Sequence, residues 1–146
     1  MDDLYMNIAL EEAEKAYSED EVPVGAVIVK NNEIIAKSHN LKAKTCNLLN
    51  HAEIIVISKA AEILKDWRLT DCKMYITLEP CPMCAGAIQQ SRIKKVFIGA
   101  KSNTLSNSDI VEKIFNNNEF CHKVEYEYLN DKRCSKILSD FFSNKR

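Results

Sequence analysis

Short apolar runs rich in β-branched residues alternate with segments of helical periodicity, and this alternation limits the fold more than any other feature of the chain. The spacing predicts helices over 4–17, from His51 to about Ala60, and over 83–91, 109–115 and 131–142. It predicts strands over 25–29, 33–38, 73–77, 95–98 and 123–128. A hairpin followed by alternating helices and strands indicates a three-layer α/β/α fold, in which helices cover a mixed five-stranded sheet.

Composition indicates one ordinary globular domain covering residues 1–146. The chain has no repeats and no Pro- or Gly-rich linker, and its length is sufficient for a core without disulfides. The start Met1-Asp2-Asp3 is acidic and no long apolar stretch follows, so we expect a cytoplasmic protein without a membrane segment. In that compartment the six cysteines are more often core residues, metal ligands or reactive groups than disulfides.

Two short motifs carry the chemistry. His51-Ala52-Glu53 stands at the start of one predicted helix, and Pro80-Cys81-Pro82-Met83-Cys84 stands where a predicted strand meets the next helix. Each motif alone is common, but together and in this order they match the signature of zinc-dependent nucleobase deaminases. One histidine and two cysteines supply the three protein ligands of a catalytic Zn²⁺ site, which leaves the fourth position to water.

Charge assigns the role of Glu53. Two thiolates and a neutral imidazole already balance Zn²⁺, so such a centre acidifies its water less than three histidines would, and a nearby base becomes useful. Glu53 lies two positions from His51 and can reach that water without being a ligand. We therefore expect Glu53 to move protons from the zinc-activated water to the ring and to the leaving ammonia.

Three other interpretations stay open at this point. A closed structural zinc site would need a fourth ligand, which Cys46 or Cys72 could supply, but it would leave Glu53 without a purpose. Cys81 and Cys84 could form a redox pair, although the aromatic-rich approach of such sites is missing. The chain could also be a non-catalytic RNA-binding protein, against which the intact Glu53 argues.

The sequence resembles the bacterial tRNA-specific adenosine deaminases (the TadA family of the cytidine deaminase-like superfamily) over nearly its whole length. The matching segments are 21–27, Asn40, 51–53, 67–69, 78–87, 91–93 and the region of Phe141-Phe142. The resemblance implies hydrolytic deamination of adenosine to inosine at wobble position 34 of tRNA. It also implies one Zn²⁺ per subunit, a homodimer, and the tRNA anticodon loop as partner.

The same resemblance implies a set of substrate contacts. Asn40 would hydrogen-bond the flipped base, and Phe142 with Lys145-Arg146 would meet the anticodon loop. Phe141 is more simply an anchor of the last helix in the core. The residues expected to surround the base are Val24, Gly25, Ala26, Ala52, Leu78 and Pro80.

Two segments depart from the family. Asn47-Leu48-Leu49-Asn50 replaces the usual Asp-Pro-Thr-Ala, and residues 104–110 lack the glycines that relatives carry there. The alternative function is therefore deamination of a free base or nucleoside, such as cytosine or guanine, on the same scaffold. The formal net charge of −1 gives no overall attraction to RNA, so phosphate contacts need a local basic surface. The sequence offers as candidates Arg92, Lys94, Lys95, Lys101, Lys132, Arg133 and Lys136.

Overall fold

The structure, a computed structural model, describes residues 2–102, 109–117, 119 and 122–145. A five-stranded sheet lies between two layers of helices, which confirms the predicted three-layer α/β fold. The strands are β1 Gly25–Lys30, β2 Glu33–His39, β3 Cys72–Leu78, β4 Lys95–Ala100 and β5 Glu125–Tyr128. The helices are α1 Asp2–Ser18, α2 Lys42–Thr45, α3 Ala52–Leu64, α4 Pro82–Gln90, α5 Asp109–Phe115 and α6 Lys132–Asn144. None of these described helices is both long and apolar enough to cross a bilayer.

The strand order is β2-β1-β3-β4-β5, and the sheet is mixed. β1 pairs antiparallel with both β2 and β3, whereas β3, β4 and β5 run parallel. The parallel strands therefore end together at one edge, at Leu78, Ala100 and Tyr128. Ligand sites in open α/β sheets lie outside these carboxyl ends.

Strand alternation divides the core into two layers. Ile28, Met74 and Ile76 point towards α3, α4 and α5, in a layer of mostly aliphatic side chains. Tyr75 and Phe97 point the other way, towards α1 and α6. Since successive side chains of a strand face opposite sides, the near-continuous apolar runs of β1, β3 and β4 are what a sheet covered on both faces requires.

Gly25 permits the closest contact between the sheet and α1. A Cβ atom at this position would lie 1.9 Å from the backbone oxygen of Ala9 and 2.7 Å from the backbone nitrogen of Ala13. No side chain fits there, so glycine lets β1 pack directly on the helix backbone. The Gly25 amide in turn donates to Thr77 Oγ1 on β3 at 3.1 Å.

The structure differs from the sequence prediction in the segment after Asn40, where the residue pattern predicts neither a helix nor a strand. Residues Lys42–Thr45 form the short helix α2, which buries none of its side chains. Its first amides are held by the Glu21 carboxylate, which accepts from Ala43 N at 3.0 Å and from Lys44 N at 2.7 Å. A carboxylate from a segment 22 residues upstream thus replaces the missing local cap.

Candidate metal centre and catalytic pocket

The three predicted metal ligands come together at the N-termini of two helices. His51 is the N-cap residue of α3 and Cys81 that of α4, both with extended backbone, and Cys84 lies in the first turn of α4. Neither N-cap side chain bonds its own helix, so both are free to face the site. His51 Nδ1 lies 3.8 Å from Cys81 Sγ and 3.4 Å from Cys84 Sγ.

This donor set fits a catalytic transition-metal ion. One nitrogen and two sulfur atoms lie within 4.8 Å of one another, and no other His, Cys, Asp or Glu in the described part of the chain joins the group. Cys72 begins β3, at the far end of that strand from the site, and Cys46 is exposed at the end of α2. The described residues therefore offer three ligands rather than four, as an open site requires.

Hydrogen bonds among the three predicted ligands shift the pKa of each of them. A hydrogen bond from Cys84 lowers the pKa of Cys81 to about 4, and the same bond raises the pKa of Cys84. The hydrogen bond to Cys81 also raises the pKa of His51. The three groups thus retain protons, which a divalent cation would displace when it binds.

Glu53 lies beside the ligands, in the first turn of α3, and is only 4% exposed. Burial raises its pKa to about 7. Removal from water disfavours the charged form of a carboxyl group, and a group that titrates near neutral pH can both accept and release a proton. Among the described residues, the possible ligand group consists of His51, Cys81 and Cys84 and does not include Glu53.

A cavity of about 240 Å³, here called the site cavity, opens in front of these groups. Of the expected base contacts, Val24, Asn40 and Leu78 line it together with His51 and Glu53. Gly25, Ala26, Ala52 and Pro80 are not among its lining residues; Gly25 and Ala26 belong to β1, and Ala52 is fully buried. Sequence reasoning missed the lining residues Val22, Lys42 and Ser102, and Glu79 lies between the expected contacts Leu78 and Pro80.

The orientation of the Asn40 amide follows from its backbone partner. Asn40 Oδ1 accepts the N–H of Ala52 at 2.8 Å, and Ser38 Oγ donates to the Ala52 carbonyl at 2.7 Å. Because a backbone N–H needs an acceptor, the oxygen of Asn40 must face Ala52. The amino group of Asn40 is therefore the part of its side chain available to a ligand in the site cavity.

Glu79 is a second buried carboxylate of the site cavity. It follows β3 directly, accepts the hydroxyl of Tyr128 from the end of β5, and accepts the Ser102 amide at 3.4 Å. These bonds tie three strand ends into one wall. The local sequence gives no sign of this role, since the partners lie 23 and 49 residues away.

A second cavity of about 430 Å³, the outer cavity, adjoins the first and shares Val22, Asn40 and Lys42 with it. Phe141 lines it and is only 7% exposed, as the expected anchor of α6 should be. Leu48 from the divergent 47–50 segment also lines it, whereas Phe142 is exposed and lines neither cavity. The divergent residues 104–108 and Arg146 lie outside the described residues.

The structure separates the candidate basic residues. Arg92, Lys94 and Lys95 precede or begin β4, at the opposite end of the sheet from the ligands. Arg133 pairs with Asp131 and Lys136 with Asp140, beside α1. The candidate residues therefore do not form one surface. Lys101, whose Nζ lies 5.1 Å from the ring centre of Tyr128, follows β4 at the site edge, and Lys132 begins α6 shortly after the end of β5.

Comparisons with known proteins agree with the geometry. The MafB19-like deaminase family matches residues 1–146. The chain is similar to the tRNA-specific adenosine deaminase of Bacillus subtilis strain 168, with 42% identity over 99% of this chain and 91% of the relative. The corresponding protein of Aquifex aeolicus is 39% identical over 97% of this chain and 94% of the relative.

Solved structures give the same result. One, from work on A-to-I editing by tRNA:A34 deaminases at the wobble position of transfer RNA, superposes with a TM-score of 0.84 at 36% identity, covering 92% of this chain and 98% of the other. A guanine deaminase from Bacillus subtilis has a TM-score of 0.67 at 28% identity, covering 98% and 92%. The chain thus belongs to the MafB19-like deaminase family, together with the tRNA-specific adenosine deaminases.

Proposed function

We propose that this protein hydrolyses adenosine to inosine at wobble position 34 of tRNA, releasing ammonia. The observation that carries the proposal is the arrangement of His51, Cys81 and Cys84 around one point, next to the buried Glu53, at the carboxyl edge of the sheet. Relatives with 37% to 42% identity over at least 97% of this chain are tRNA-specific adenosine deaminases, which supports adenosine in RNA as the substrate.

The metal of this proposal is Zn²⁺, one per subunit, held by His51 Nδ1 and by the sulfur atoms of Cys81 and Cys84. Mixed nitrogen and sulfur donors favour zinc over the oxygen-seeking Mg²⁺ and Ca²⁺. When bound, zinc supplies an activated water as the nucleophile. The two thiolates balance the metal charge, so the protein must provide the base that takes the proton from the attacking water.

Glu53 is that base and is the catalytic residue of the proposal. It takes one proton from the attacking water and delivers it to the ring nitrogen, and it then assists proton transfer to the departing amino group. Burial raises the pKa of Glu53 to about 7, so its carboxyl group can both accept and release a proton near neutral pH. Water and adenosine give inosine and ammonia, with no further reactant.

Recognition of the base falls to the site cavity. In our proposal the amino group of Asn40 donates to the flipped adenine, while Val24 and Leu78 pack against the ring. The backbone of Gly25, Ala26, Ala52 and Pro80 supports these walls, and Phe142 remains a predicted contact of the anticodon loop. Single-stranded loop nucleotides can leave their stack at little cost, so they suit a pocket that encloses one base.

We further propose that the enzyme is a cytoplasmic homodimer of single-domain subunits. The tRNA substrate supports the location, and the resemblance to dimeric relatives supports the assembly. Sedimentation or light scattering of the zinc-loaded protein measures the mass directly; a mass near 16.7 kDa at micromolar concentration would contradict the dimer.

The test of the proposed function uses an anticodon stem-loop with adenosine at the wobble position. We expect zinc-loaded protein to form inosine there, and not in a loop of scrambled sequence. The guanine deaminase similarity supplies the alternative, deamination of a free base. Ammonia release from guanine, cytosine or free adenosine without inosine in the stem-loop would replace our proposal by that one, and no product from any of them would favour a non-catalytic RNA-binding protein.

A further inference from the structure

Lys42 occupies a distinctive position between the two cavities. It is the first residue of α2 and lines both the site cavity and the outer cavity. Among the described residues that line either cavity, no other is a lysine or arginine. A ligand that extends from one cavity into the other passes the residues that line both, which are Val22, Asn40 and Lys42, and only Lys42 among them carries a positive charge.

Most of the charged residues near Lys42 are acidic. Glu53 and Glu79 line the site cavity, and Asp20 and Glu21 line the outer one, where Asp20 is paired with Lys145. A polyanion approaching these carboxylates is repelled except where a cation offsets them. The basic residues at the start of β4 cannot do so, because they lie about 20 Å away at the other end of a six-residue strand.

When α2 is folded, three backbone hydrogen bonds position Lys42 at this boundary. The Glu21 carboxylate accepts the amides of Ala43 and Lys44, and the Lys42 carbonyl accepts the amide of Asn47 at 3.1 Å. Glu21 thereby occupies the amides at the start of α2, which leaves the side chain of Lys42 as the group that can meet an anion. Lys42 forms no ion pair with any residue that the structure describes.

We propose that Lys42 binds the backbone phosphate that joins the target nucleoside to its neighbour in the RNA loop. This inference rests on the proposed function. With the target base in the site cavity and a neighbouring nucleotide at the outer cavity, the linking phosphate lies at the boundary that Lys42 lines. A lysine ammonium is a compact charge on a flexible stem, which suits a phosphate whose position varies slightly between substrates.

Lys42→Ala tests the contact, and Lys44→Ala is its matched control. Lys44 lies on the same short helix, carries the same charge and lines neither cavity. We expect Lys42→Ala to raise KM for the wobble-adenosine stem-loop about tenfold, as loss of a charge-assisted hydrogen bond does, with kcat within about twofold. Lys44→Ala should leave both within about twofold, since it removes an exposed charge that lines neither cavity.

The dependence of binding on salt gives a second readout. Loss of one phosphate contact to single-stranded RNA should reduce the slope of log K against log salt concentration by about 0.7. Lys42→Ala should show that reduction and Lys44→Ala should not. Lys42→Arg keeps the charge and should restore most of the affinity, which a variant damaged in its fold could not do.

A neutral phosphate analogue identifies the contacted group. We expect a stem-loop with a methylphosphonate on one side of the wobble adenosine to bind wild type about tenfold more weakly, and to bind Lys42→Ala no more weakly than the natural stem-loop does. If a methylphosphonate on either side of the wobble adenosine weakened binding equally in wild type and in Lys42→Ala, the proposal would be overturned. A Lys42→Ala variant that matches Lys44→Ala would also overturn it.

These outcomes separate the inference from the function on which it rests. If Lys42→Ala formed inosine as wild type does, the proposed phosphate contact would be wrong and the proposed deaminase activity would stand. Stem-loop binding that depends on Lys42 without any inosine would keep the contact and remove the proposed activity. Absence of both binding and inosine would remove both.

Discussion

The two faces of the sheet are built in different ways. The face covered by α3, α4 and α5 is packed with aliphatic side chains and carries the ligands His51 and Cys84 on the covering helices. The face covered by α1 and α6 is packed around aromatic rings, with Phe97 stacked on Tyr75 at a centroid distance of 4.5 Å. Both faces bury apolar side chains, but the predicted metal ligands and Glu53 lie on the α3–α4 face.

This difference indicates that residues important for catalysis and residues important for stability lie on different faces of the sheet. Substitutions of the reactive residues on the α3–α4 face should affect metal binding and turnover more than folding, and substitutions of the core aromatic residues on the α1–α6 face should do the reverse. Measuring stability and activity on the same variants tests that separation. The variants below run from the largest expected effect to the smallest.

Cys81→Ser should abolish activity, because the serine hydroxyl is a far weaker ligand for zinc than a thiolate. We expect zinc content, measured by atomic absorption, to fall well below one ion per subunit, and inosine formation to fall below detection. Cys46→Ser is the control, since that thiol is exposed and outside the ligand group. A fully zinc-loaded Cys81→Ser protein would remove Cys81 from the ligand set.

Glu53→Ala should lower kcat about a thousandfold, as loss of a positioned acid–base group does, while zinc stays bound. Loss of a buried carboxyl that carries a desolvation penalty should not reduce the free energy of unfolding much. Turnover within tenfold of wild type would contradict the proton-transfer role. If Glu53→Ala lost both stability and turnover, the expected separation between catalytic and stabilising residues on the two faces would be wrong.

Phe97→Ala should lower the free energy of unfolding by about 3–5 kcal/mol, through lost burial and the cavity that remains. At a temperature where the variant stays folded, we expect kcat/KM within about threefold of wild type, because Phe97 faces away from the ligands. Phe142→Ala serves as the stability control, since that ring is 47% exposed. Urea unfolding of both variants, followed by far-UV circular dichroism, measures the effect.

Glu12→Gln should show how the α1 face responds to pH. Burial raises the pKa of Glu12, but the hydrogen bonds from Lys15 and His39 outweigh it, so the net pKa is lowered. A carboxyl with a depressed folded-state pKa stabilises above its unfolded pKa and loses that contribution as pH falls through the folded value. We expect Glu12→Gln to be about 1–3 kcal/mol less stable than wild type at pH 7.

The same comparison should narrow in acid. As pH falls below about 4.5, the wild-type carboxyl becomes protonated and the two proteins should converge in stability. Denaturation at a series of pH values gives the difference directly. A constant difference from pH 7 to pH 3 would show that the Glu12 charge contributes nothing and that the loss is one of packing.

Much of the fold could be predicted because its signals are local. The β-branched runs and helical periods locate all five strands and five of the six described helices. The metal ligands were predictable for the same reason, since two compact motifs carry them and each lies where a helix begins. The structure adds that Nδ1 is the His51 nitrogen nearest the thiols, a detail set by ring orientation.

The remaining features depend on tertiary contacts. α2 has no apolar period, and its cap comes from Glu21, so its sequence resembles a loop. Glu79 acquires its role from Tyr128, 49 residues away. The candidate basic residues fall into two groups, at 92–101 and at 132–136, and their places around β4 and on α6 separate them in space, which residue spacing alone could not reveal.

The isolation of α2 also has a kinetic consequence. The helix buries no side chain, and its first amides depend on a single carboxylate, so little free energy opposes its local opening. Its amide protons should exchange with solvent long before those of β3, through excursions that leave the sheet intact. The edge of the outer cavity that α2 forms can therefore rearrange around a ligand while His51, Cys81 and Cys84 keep their positions.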